Sequence, residues 1–111
     1  MVRLGSVVLN VTDVRRAAAF WSKALGYVPR PDNSAFLAPP AGGEGPHLHL
    51  DESDRTHLDL WAANSDEQQA EVERLVSLGA TQVDWEYPEG ADFVVLADTE
   101  GNLFCVVDVS A

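Results

Sequence analysis

One pattern runs through this chain twice, and it limits the possible folds more than any other feature. Residues 6–12, "SVVLNVT", are β-branched and mostly apolar, which favours a strand. The next stretch, "DVRRAAAFWSKALG" (13–26), sets Val14, Ala17, Ala18, Trp21, Ala24 and Leu25 at helical spacing. Asp13 is the expected N-cap, and Gly26 can close the helix. Shorter strands are expected at 27–30, 34–38 and 47–51. Between the last two, "PPAGGEG" (39–45) is too rich in Gly and Pro for regular structure and reads as a surface loop. The second half then repeats the order. "THLDLWA" reads as a strand, and "SDEQQAEVERLVSLG" (65–79) as a helix. A capping box of Ser65 with Gln68 is expected to start that helix, with Val72, Leu75, Val76 and Gly79 along its inner stripe. Three strands follow in "TQVDWEY", "DFVVLA" and "LFCVVDV", with turns at "PEGA" and "DTEGN". The helix endings "KALGYV" and "VSLGATQV" superpose.

We read a tandem duplication of a βαβββ unit, the first over about 1–52 and the second over about 53–111 of a single domain. One unit alone would leave a sheet face bare. Two are expected to share a curved mixed sheet in an α+β architecture, with the helices outside and a concave cleft inside. Such a cleft is a usual place for a ligand.

Composition narrows the partners. The chain has 111 residues and a formal net charge of −11, from 18 acidic and 7 basic residues. That charge repels phosphate, so nucleic acid and anionic membranes are poor partners. A cationic or neutral small molecule is easier to accommodate. The single cysteine, Cys105, excludes an intrachain disulfide. It lies in the apolar run "LFCVV" and is expected to be buried and reduced. The opening "MVRLGSVVLNV" lacks the features of a signal peptide, and no apolar run approaches the ~20 residues of a membrane span. A cytoplasmic protein is expected.

The segments "VVLNVTDVRRAAAFWSKALGY", "HLDLWA", "LVSLGA" and "LADTEGNLFCVVD" together resemble the vicinal oxygen chelate superfamily. That group includes glyoxalase I, the extradiol dioxygenases and the bleomycin-resistance proteins. The resemblance spans nearly the whole chain and implies the glyoxalase/bleomycin-resistance/dioxygenase fold and a homodimer. It also implies a divalent metal in the cleft, held by His and Glu from the first and last strands of each unit. Carried over residue by residue, those positions fall on Ser6, on His49 (or His47), on His57 and on Cys105. Ser6 is a poor ligand, and Cys105 would bind zinc as thiolate rather than as an oxygen donor.

The residues themselves leave three readings open. Alternation puts His57, Asp59 and Trp61 on one strand face, and His47, His49 and Asp51 on one face of another. In the leading reading the protein binds a small aromatic or cationic molecule, as resistance and sequestration proteins do. Asn10, His49, Asp59, Trp61 and Trp85 would line that site, and no cofactor is needed. In the alternative it is a lyase, isomerase or dioxygenase of the glyoxalase type. A divalent ion (Zn, Ni, Mn or Fe) would then sit on His49, His57 and Cys105, or His57 and Asp59 would move a proton between them. A third reading is a noncatalytic dimerisation domain. Trp21 lies on the helix stripe and is expected in the core.

Overall fold

The computed structural model describes all residues, Met1–Ala111. Its elements are β1 (Arg3–Asn10), α1 (Val14–Leu25), β2 (Val28–Arg30), β3 (Asn33–Ala38), β4 (His47–Asp51), β5 (His57–Ala62), α2 (Ser65–Ser77), β6 (Thr81–Gln82), β7 (Phe93–Ala97) and β8 (Leu103–Asp108). The chain divides into two compact units, Gly5–Thr56 and His57–Ala111, with Met1–Leu4 belonging to the second.

The two units have the same topology. In the N-terminal unit the strand order is β2-β3-β4-β1, with β1 and β4 parallel and the other pairs antiparallel. In the C-terminal unit the order is β6-β7-β8-β5, with β5 and β8 parallel and the rest antiparallel. Each sheet is therefore mixed, and in each the first strand of the unit lies against the last. A parallel neighbour cannot be reached by a tight turn, so a helix and two further strands intervene.

Each helix closes one face of its own sheet. In the N-terminal unit Ala18 of α1 packs with Leu37, Leu48 and Leu50, joined by Val7, Leu9, Val14 and Trp21. Trp21 is thus in the core, as expected, although only partly buried. Its ring and that of Phe20 are nearly perpendicular, with centroids 5.1 Å apart. In the C-terminal unit Val72 of α2 packs with Ala62, Leu96 and Val106, joined by Leu75, Val94 and Phe104. The opposite face of each sheet carries no helix of its own unit.

The caps explain where the helices begin. Asp13 accepts a hydrogen bond from the Arg16 amide at 3.0 Å, and Gly26 ends α1 with φ of 70°. In α2 the sequence expectation is off by one residue. Asn64, not Ser65, is the N-cap, and its side chain accepts from the Glu67 amide at 2.8 Å. Glu67 reaches back to the Ala63 amide at 2.8 Å. Gln68, expected in the box, instead donates to the carbonyls of Asp92 (3.0 Å) and Val106 (2.9 Å), tying α2 to its sheet.

Two further expectations fail for local reasons. The strand expected across 81–87 stops at Gln82, and residues 83–88 are irregular. The phenol of Tyr87 there accepts from the Val95 amide at 2.8 Å, doing the job of a strand partner. Val76 is exposed, because the buried stripe of α2 turns through Glu71 and Val72 instead. Glu71 is only 7% exposed. It accepts from Arg74 at 2.6 Å and from the Val2 amide at 2.7 Å, so it pins the chain start to α2. The Arg74 guanidinium, followed by the Val2 amide, pulls the Glu71 carboxyl down from 4.5 to about 2.

Two outcomes follow for stability. Asn64→Ala should lower unfolding free energy by roughly 1 kcal/mol in urea titrations, with Ser65→Ala nearly neutral. Glu71 has a depressed folded-state pKa, so its stabilisation is full above pH 4.5 and is lost as the pH falls toward 2. The stability gap between the parent protein and Glu71→Gln, roughly 2 kcal/mol near neutrality, should therefore close between those pH values. A gap unchanged at pH 3 would show that the carboxylate charge is not what Val2 and Arg74 recognise.

Candidate functional site

The site grows from the alternation of β5. Ala62 enters the core beneath α2, and the same parity sends Leu58 and Leu60 to that side. His57, Asp59 and Trp61 stand on the face without a helix. The register of β8 then decides what lies beside them. Asp59 is paired with Cys105 and Trp61 with Val107, while β7 sets Val95 next to Cys105 and Phe93 next to Val107. Paired residues on neighbouring strands share a face. His57, Asp59, Trp61 and Cys105 therefore form a polar cluster bordered by valine and phenylalanine.

The cluster is tight. His57 Nε2 lies 3.3 Å from Asp59 Oδ1, and these side chains are only 11% and 19% exposed. Residues two apart on a strand are ordinarily ~6.5–7 Å apart at the backbone, so the contact comes from rotamers that lean the two side chains together. Donor atoms of His57, Asp59 and Cys105 all lie within 4.8 Å of one another. Cys105 is half-buried rather than fully buried. The imidazole is not turned into bulk solvent.

Trp61 is met by a residue that sequence reasoning passed over. The guanidinium carbon of Arg3 sits 5.2 Å from the centroid of the indole. That is cation–π range, so one face of the ring already has a cation from this chain. A cationic ligand would have to use the other face or displace Arg3. No pattern marks Arg3 in the sequence, because it is an isolated basic residue at a strand start.

The other expected residues are placed as follows. His49, in the N-terminal unit, stacks on Phe36 with ring centroids 4.0 Å apart and planes 15° apart. Its Nε2 is 3.8 Å from Asp51 Oδ2. Asp51 is held by the turn after it: Oδ1 accepts from the Ser53 amide (2.8 Å), the Asp54 amide (2.9 Å) and the Ser53 hydroxyl (3.0 Å). Those hydrogen bonds, the Ser53 amide foremost, keep its carboxyl below the usual range. His47 is paired in register with Ser6, which is buried. Asn10 spends its side-chain amide on the carbonyls of Asp54 (2.7 Å) and Asp51 (3.4 Å). It also borders an open hollow of about 540 Å³ that includes Arg16 and Phe20. Trp85 lies in the irregular segment before β7 and is 40% exposed.

The "DTEGN" turn is structural. Asp98 accepts from the amides of Asn102 (2.8 Å) and Glu100 (2.9 Å) and from the Asn102 side chain (3.0 Å). Asn102, first through its side chain, holds the Asp98 carboxyl below its ordinary value.

A divalent ion fits the C-terminal cluster by donor type. An imidazole, a carboxylate and a thiol are the three donor classes of zinc sites. Three protein ligands are also the number found where a metal keeps one position for a substrate. Bound there, a divalent ion would supply Lewis-acid polarisation of a ligand oxygen. His49, expected in the same set, is a residue of the other unit.

The sequence profile of the glyoxalase-like domain matches residues 6–107. This chain belongs to the glyoxalase-like domain family. Solved structures carry the same fold. Methylmalonyl-CoA epimerase from Mycobacterium tuberculosis is 22% identical, with a TM-score of 0.60 over 95% of this chain and 86% of that one. A hypothetical protein from Bacillus halodurans C-125 is 14% identical, with a TM-score of 0.58 over 96% and 94%. A glyoxalase/bleomycin resistance protein/dioxygenase superfamily member from Vibrio splendidus 12B01 is 14% identical, with a TM-score of 0.55 over 97% and 99%. No curated protein sequence matches. At these identities the likeness fixes the fold, α+β with two βαβββ units, and leaves the reaction open. The glyoxalase-like domain has no helix long and apolar enough to cross a membrane.

Removing the cation over Trp61 tests the packing of this face. Arg3→Ala should cost roughly 0.5–1 kcal/mol and shift the tryptophan emission in urea titrations. An unchanged spectrum would mean that Arg3 leaves the ring in solution.

Proposed function

We propose that this glyoxalase-like protein binds a small molecule on the helix-free face of its C-terminal unit, in the manner of resistance or sequestration proteins. The observation that carries this reading is the cluster of His57, Asp59 and Cys105 beside Trp61. Here a flat indole and three hydrogen-bonding or metal-ligating groups face the same way, which is the make-up of a small-molecule site. Asp59 offers charge to a cation and Trp61 offers area to an aromatic ring. Trp85, of the same unit and 40% exposed, is a secondary candidate.

A second reading has an observation of its own. The 3.3 Å contact between His57 and Asp59 suits a proton-moving pair, and with Cys105 it suits a metal-assisted lyase or isomerase. Assembly as a homodimer, which the resemblance implies, is part of the same proposal.

A thermal-shift screen of small aromatic cations, aromatic carboxylates and neutral heteroaromatics separates these readings. At least one class should raise the melting temperature. For that hit, Trp61→Ala should raise the dissociation constant roughly tenfold or more, from loss of about 1.4 kcal/mol or more of stacking and apolar contact. His57→Ala should raise it much less. If no class shifts the melting temperature, the binding reading fails. Equal losses in both variants would favour the catalytic reading.

A further inference from the structure

We propose that the outer face of α1 in one copy of this chain packs antiparallel on the outer face of α2 in a second copy. This contact deepens the homodimer reading above by naming its surface. α1 is out of character for so acidic a protein. It holds Arg15, Arg16 and Lys23, three of the seven basic residues, and no acidic one. α2 is the reverse, with Asp66, Glu67, Glu71 and Glu73 against Arg74 alone. Glu67 and Glu71 are spent inside the chain, on the Ala63 amide and on Val2 and Arg74. Asp66 and Glu73 remain exposed, as do Arg16 and Lys23. The salt bridges of the chain use other residues than these four.

Three observations carry it. The first is spacing. Arg16 and Lys23 are seven residues apart on α1, and Asp66 and Glu73 are seven apart on α2. Seven residues make two helical turns, so each pair shares one face, about 10.5 Å from end to end. Two such helices side by side can close both ion pairs at once. The second is what lies between the charges. Phe20 sits between Arg16 and Lys23 and is 62% exposed. Between Asp66 and Glu73 lies Ala70, exposed and small. A short side chain there opens a hole for an aromatic knob. The third is a hollow of about 540 Å³ at the start of α1, walled in part by Val11, Ala17 and Phe20. With Arg16 facing Glu73 and Lys23 facing Asp66, Val76 lies three residues beyond Glu73 and comes to that hollow. Val76 is 42% exposed in the single chain, and the hollow gives it an apolar seat. A parallel order would carry Val76 past Gly26, away from the hollow, so the antiparallel order is the one that fits.

Charge selects the occupant. Anionic lipid and nucleic acid also suit a basic, aromatic helix face, but the formal net charge of −11 repels both. A second copy brings its acids on one helix face at the matching spacing. Under two-fold symmetry the contact forms twice, α1 on α2 and α2 on α1. Each exposed ion pair adds little by itself. Phe20 and Val76 therefore supply the apolar area, and the charges fix register and partner.

Sedimentation equilibrium of the full, tag-free chain tests this. We expect a dimer whose dissociation constant rises with salt. Arg16→Glu together with Lys23→Glu should raise that constant at least about tenfold. Adding Asp66→Lys and Glu73→Lys to the same chain should restore it, because both ion pairs re-form with their signs exchanged. Phe20→Ser should weaken the dimer by a similar factor. All five positions are exposed, and an unchanged far-ultraviolet circular dichroism spectrum checks that each variant is folded. A chain that stays monomeric into the millimolar range overturns the proposal. If those monomers float with phosphatidylserine vesicles, and the Arg16→Glu, Lys23→Glu variant does not, the face serves an anionic surface instead. A reversal that weakens the dimer but is not rescued by the second pair of changes also overturns it. So does a dimer that ignores the reversal, and in that case the homodimer reading stands and this surface alone falls.

Discussion

The parallel pairing of β5 with β8 is the constraint on which the C-terminal unit depends. It brings the first and last strands of the unit side by side and fixes Asp59 opposite Cys105. Because side chains alternate, that single register also decides which residues go under α2. Ala62 and Val106 enter the core there, so His57, Asp59, Trp61 and Cys105 have nowhere to point but the other face. A slip of one residue would bury Asp59 and expose the core. The apolar packing under α2 therefore holds the polar cluster on the opposite face.

The N-terminal unit shows the same device with different contents. β1 lies parallel to β4, Leu48 and Leu50 go under α1, and His49 and Asp51 stand on the opposite face. There the histidine is fixed by stacking on Phe36, and the aspartate is committed to its own turn through Ser53 and Asp54. In the C-terminal unit Asp59 instead leans on His57. The His-x-Asp contact is closer there, 3.3 Å against 3.8 Å between His49 and Asp51.

Most of the fold was legible in the amino-acid order, and the failures have identifiable causes. The duplication, both helices and β4 at 47–51 could be read from periodicity, caps and glycine placement. Ser65 misled because Asn64 before it is an equally good cap and lies where the chain turns. The strand expected at 81–87 ended early because Tyr87 supplies the hydrogen bond that a ladder partner would have made. Val76 kept the helical period but lost its place to Glu71, which Arg74 pairs from the next turn and Val2 meets from the chain start. Local pattern cannot show a partner that comes from the far end of the chain.

The sequence by itself determined that His57, Asp59 and Trp61 share a face, because alternation along a strand needs no other information. It also set the expectation of two βαβββ units through the repeat. Only the tertiary structure decided that Cys105, distant along the chain, is the neighbour of Asp59, that the two side chains of His57 and Asp59 meet, and that Arg3 covers the indole of Trp61. Those are matters of register and rotamer, set by how the strands line up when the leucines and valines of the other face pack beneath the helix.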